Sequence, residues 1–101
     1  MSFALPVGRL YENATWMAFW HPSPAYPFHI LLVAKKPLAN LQELTKPGSS
    51  LATEFFEAAA RLVEQFDLQR YGYRLVTNGG PYQDIPQLHF HLISESREVP
   101  R

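Results

Sequence analysis

The chain has 101 residues, which allows one domain and no more. Nine Lys+Arg balance nine Asp+Glu, which argues against a bulk electrostatic grip on nucleic acid or an anionic membrane and leaves room only for a local basic patch. There is no cysteine, which excludes disulfides, thiolate zinc sites and cysteine nucleophiles.

The N-terminal thirteen residues carry no basic region and no long apolar stretch, and no segment approaches 18 apolar residues. A cytoplasmic protein with no membrane partner is expected. Pro6 and Gly8 precede a first apolar stretch at Leu10 and Tyr11. Asn13 turns the chain into Thr15–Trp20, aromatic-rich and strand-like. His21 to Pro27 holds three prolines in seven residues and must be a loop, because each proline removes a backbone donor. Phe28–Ala34 is an apolar run of strand length, closed by Lys35-Lys36-Pro37.

Leu38–Leu44 is long enough for a helical turn or two. Pro47-Gly48-Ser49-Ser50 is a break, with Ser50 a good N-cap. Leu51, Phe55, Ala58, Leu62 and Phe66 then recur at helical spacing, while Glu54, Glu57, Arg61 and Glu64 share the other face. A helix over 50–68 is predicted, with Gly72 marking its exit. Tyr73–Thr77 reads as a strand, Asn78–Pro81 as a loop and Gln87–Ser94 as the last strand. Five strands, one long helix and one short helical piece predict an α+β fold with an antiparallel sheet, as a single domain.

The last strand carries the chemistry. Side chains alternate across a strand, so Leu88, Phe90 and Leu92 face a core while Gln87, His89, His91 and Ile93 share the opposite face. Two imidazoles about 7 Å apart along the strand can share a phosphate, a metal ion or a proton. They can also simply face solvent. His29 lies inside an apolar run, where a core histidine is the plain reading, and Asn78-Gly79 is most simply a turn.

In order, Phe28-His29 to Lys35-Lys36, then Tyr73 to Asn78-Gly79, then Gln83 and Gln87-Leu-His89-Phe-His91-Leu-Ile93 resemble the histidine triad (HIT) family of nucleotide hydrolases and transferases. That resemblance implies a HIT-like five-stranded antiparallel sheet with two helices, usually paired into a homodimer. It implies attack by His89 on a nucleotide phosphorus, giving a nucleotidyl-histidine. His91 is implied to bind phosphate oxygens or protonate the leaving group, with His29 close by. Asn78 and Gln83 match substrate-side polar positions. Phe19, Trp16 and Trp20 are candidates for lining a base pocket, although a bland core is the alternative for two of them. No metal or other cofactor is implied. The expected ligand is a small-molecule nucleotide, as phosphoanhydride or phosphoramidate.

Several positions depart from the family pattern. Gln87 replaces the first triad histidine. His21 replaces an acidic residue that grips ribose hydroxyls, which predicts weak discrimination of ribose from deoxyribose. Asp84 and Pro37 also differ. Two rival readings stay open: a HIT-like nucleotide binder with little turnover, and a small metal-binding domain using His29, His89 and His91. The aromatic load on the long helix, with Phe55, Phe56 and Phe66 spread around it, adds to the expectation of a dimer.

Overall fold

A computed structural model describes residues 8–101. The turn read at Pro6, and most of the segment read for targeting, lie outside them. Strands β1 (Tyr11–Glu12), β2 (Trp16–Trp20), β3 (Phe28–Ala34), β4 (Arg74–Thr77) and β5 (His89–Ser94) form one antiparallel sheet in the order β1-β2-β3-β5-β4. β5 begins two residues later than the pattern suggests. The Leu88 N–H turns away to the Leu38 carbonyl at 2.7 Å, and the Gln87 N–H to the Ile85 carbonyl at 2.7 Å.

The predicted helix over 50–68 divides in two. Helix α1 spans Leu51–Gln65 and a short α2 spans Leu68–Tyr71, with Asp67 between them at φ 54°. A straight helix would turn Leu68 about 200° away from Phe66, into solvent. The left-handed residue, a conformation Asp tolerates better than most, redirects the chain so that Leu68 is fully buried. Gly72, at φ 89°, ends α2 by giving its N–H to the Leu68 carbonyl. The segment expected to hold a helical turn or two is a 3-10 turn at Leu41–Thr45.

Helix α1 covers one face of the sheet. Trp16 meets Phe55 edge-on at 4.9 Å between ring centroids and Phe90 at 6.0 Å, and its indole N–H bonds the Leu51 carbonyl at 2.9 Å. Ile30, Leu32, Leu62 and Leu92 complete this core. The other face carries a smaller apolar cluster of Met17, Phe19, Leu31 and Val33. Beside it lie the imidazoles. Among the described residues no helix is long and apolar enough to cross a membrane.

Candidate active site

Register brings the imidazoles together. Trp20 pairs with Ile30, and the next N–H, that of His21, bonds the His29 carbonyl at 2.9 Å, so these two residues continue the β2–β3 ladder. Leu31 pairs with His91 and His29 with Ile93, which makes His29 and His91 diagonal neighbours on one face. His89 follows, two residues from His91 on that same face. Ring centroids lie 4.3 Å apart for His21–His29, 5.1 Å for His29–His91 and 5.0 Å for His89–His91.

Hydrogen bonds fix which nitrogen of each ring holds the proton. The Ser23 N–H donates to His21 Nδ1 at 3.0 Å, and the Ala25 N–H donates to His29 Nδ1 at 3.1 Å. A backbone N–H can only donate, so each Nδ1 is the acceptor and each neutral ring carries its hydrogen on Nε2. His29 Nε2 lies 2.8 Å from His91 Nδ1. His29 therefore donates there, and neutral His91 also holds its hydrogen on Nε2. His89 is wired the opposite way. Its Nδ1 lies 3.0 Å from the Gln87 carbonyl, which can only accept, so the lone pair falls on Nε2. The Thr77 hydroxyl donates to the His89 carbonyl at 2.6 Å and ties β4 to this turn of the strand.

Three of the rings are biased towards the neutral form. Burial, then His21 and His91, push His29 down to about 4. Burial, then His89 and His21, push His91 down to about 4. Burial, then His89, lower His21. A cavity of about 340 Å³ opens over His21, His29 and His91, lined also by Ser23, Ala25, Tyr26 and Asn78, with Val76 and Ile93 as its apolar floor; buried His89 lies beside His91, off the cavity wall. Among the described residues no carboxylate lines it.

The other candidate residues fall as follows. Asn78 lines the cavity. Gln83 spends its amide N–H groups on the Ala39 and Ile85 carbonyls, both at 3.0 Å, and so braces the loop before β5. Phe19 is 1% exposed inside the smaller apolar cluster and is not on the cavity wall. Trp16 and Trp20 pack in the helix-side core. Gln87 is buried, and its contribution to His89 is main chain. Arg74 pairs with Glu95, leaving exposed Asp84 in the loop without that cation. The ring nitrogens close enough to share one metal ion, all within 4.8 Å, belong to His21, His29 and His91. The expected trio had His89 in place of His21. Sequence reasoning missed the donors Ser23 and Ala25 and the brace Thr77. The three prolines held a signal: they leave only Ser23, Ala25 and Tyr26 with an N–H between positions 22 and 27.

The HIT domain profile matches residues 4–98. An uncharacterised HIT-like protein of Synechococcus elongatus is 35% identical over 91 residues, covering 88% of this chain and 79% of the relative. Among solved structures, a HIT family hydrolase from Clostridium thermocellum superposes with a TM-score of 0.78 at 30% identity, covering 96% of this chain and 86% of that one. A HIT family hydrolase from Legionella pneumophila gives 0.78 at 28% identity, covering 91% and 84%.

Proposed function

The chain belongs to the HIT family, and on that premise we propose that it is a nucleotide hydrolase or nucleotidyl transferase with His89 as nucleophile. The observation that carries this reading is the His89 Nδ1–H donated to the Gln87 carbonyl, which puts the lone pair on Nε2. In the first step Nε2 attacks the nucleotide phosphorus, the bond to the leaving group breaks, and a nucleotidyl-histidine forms. In the second, water or another acceptor attacks the same phosphorus and Nε2 departs with its electron pair. The positive charge that develops on His89 is shared with the Gln87 carbonyl through Nδ1–H.

His91 was expected either to bind phosphate oxygens or to protonate the leaving group. Its wiring favours the first role. A neutral imidazole holding its hydrogen on Nε2 donates a hydrogen bond but is a poor acid. The Ala25 N–H opposes the rearrangement that would make His91 a cation donating back to His29. A phosphate leaving from an anhydride departs as an anion and needs no proton, so phosphoanhydrides suit this site better than phosphoramidates. Rapid quench with a nucleoside anhydride followed by intact-mass analysis tests the mechanism. The expected result is one nucleotidyl adduct on wild type and none on His89→Ala. Full turnover by His89→Ala refutes the assignment.

A second reading, nucleotide binding with slow turnover, rests on Gln87, whose side chain cannot carry a proton in relay. Such relays contribute about 10²–10⁴-fold where they operate. In that case nucleotide binds and the adduct builds up only over long incubation.

We read the molecule as a homodimer. Beside the outer edge of β4 runs an apolar groove of about 690 Å³ lined by Phe56, Ala59, Val63, Tyr73 and Leu75, and Phe56 is 63% exposed. A second copy would cover it. Sedimentation of wild type as a dimer and Phe56→Glu as a monomer is the expected pair of results.

A further inference from the structure

Three imidazoles with nitrogens within 4.8 Å ordinarily suggest a metal site. The hydrogen bonding opposes it here. A metal at Nε2 of His21 or His29 needs the ring hydrogen on Nδ1, where it would face the Ser23 or Ala25 N–H at about the same 3.0–3.1 Å that now make good bonds. Two donors would then confront each other. The same contacts make His21 and His91 donors at Nε2. Ser23, Tyr26 and Asn78 add further polar groups to the cavity, and among the described residues no carboxylate answers them.

Resting on the nucleotide reading of the same site, we propose that His21 makes this cavity a second oxyanion subsite, so that the substrate carries another phosphate beside the one His89 attacks. The second phosphate belongs either to the anhydride chain or to the sugar; both present the same oxygens to the His21 and His91 Nε2–H groups. Binding stays strong without a lysine or arginine. An oxyanion replaces water as acceptor for the two neutral Nε2–H donors, and a hydrogen bond to an ionised acceptor is stronger than one between neutral groups.

Isothermal titration of the whole chain with AMP, α,β-methylene-ADP and adenosine 3′,5′-bisphosphate separates the sources. At least one bisphosphate is expected to bind about tenfold or more tightly than AMP, on the scale of one or two charge-assisted hydrogen bonds. That advantage should vanish in His21→Asp, which places a carboxylate at the subsite, and persist in part in His21→Gln, which keeps an N–H donor. The bisphosphate that gains identifies the source. If AMP binds and neither bisphosphate gains, or if the gain survives in His21→Asp, the second subsite is wrong and the nucleotide reading stands. If none of the three binds, the nucleotide reading fails, and the subsite with it. Micromolar Zn²⁺ binding that is lost in His21→Gln also overturns the proposal, because it would mean that the rings present lone pairs.

Discussion

The two faces of the sheet solve opposite problems with the same strands. On the helix side, Trp16, Ile30, Leu32, Phe90 and Leu92 meet α1 through apolar and aromatic contact, and their one conspicuous polar group, the Trp16 indole N–H, is answered by Leu51. On the other side four imidazoles share space with Met17, Phe19, Leu31 and Val33. There the cost of burying polar groups is met hydrogen by hydrogen, and among the described residues no buried side-chain nitrogen or oxygen lacks a partner. The first face tolerates changes that keep volume. On the second, the donor direction of each ring is fixed by a specific partner.

This contrast breaks most sharply at His89. His89→Ala should lower turnover by at least about 10³-fold, as loss of a nucleophile does, while the thermal midpoint moves little. Steady-state assay and calorimetry on the same sample check both halves. Phe55→Ala is the mirror image. It removes a ring that packs on Trp16 and Phe90 and should cost about 3–5 kcal/mol in urea unfolding, with the surviving folded fraction still reactive. If Phe55→Ala left stability intact, the division of labour between the faces would be wrong.

Acid should act first on the imidazole face. His29 and His91 titrate near 4 in the folded protein against an ordinary 6.5, so between those values the unfolded chain binds more protons. Their contribution to stability is complete above about pH 6.5 and is lost as pH falls towards 4. A thermal midpoint that declines through that window, with a shallower decline in His29→Gln, is the expected signature. The smallest effect sharpens the comparison most. Thr77→Val removes the hydroxyl on the His89 carbonyl and should cost about 1 kcal/mol, measured by denaturant titration.

Much of this was readable in advance, for a reason that can be stated. Period-two alternation alone puts His89 and His91 on one face, and the main-chain carbonyl that orients His89 is available whatever residue occupies position 87. Strand count and the family likeness followed from the same local patterns, whereas the order of the strands came only with the fold. What stayed hidden depends on the path of the chain through space. The break at Asp67 comes from where Leu68 must go, which helical spacing within 51–66 does not encode. Gln83 looks like a ligand for substrate until its distance to Ala39, far away in sequence, is known. Phe19 looks like a pocket wall until Met17, Leu31 and Val33 close around it. His21 joins the site only because β2 runs one residue further along β3 than its own strand pattern requires.

The proline-rich loop after His21 carries a lesson about where information sits. Pro22 and Pro24 hold their own φ angles, and the residue before each following proline is confined to extended backbone, so the segment has little freedom to redirect its amides. Ser23 and Ala25 supply main-chain hydrogens, and any residue except proline would supply the same ones. The proton map of the site is thus drawn by positions whose side chains are nearly interchangeable. A library at those two positions would keep the proton map with any residue except proline, while side chains larger than these would intrude on the cavity that both residues line.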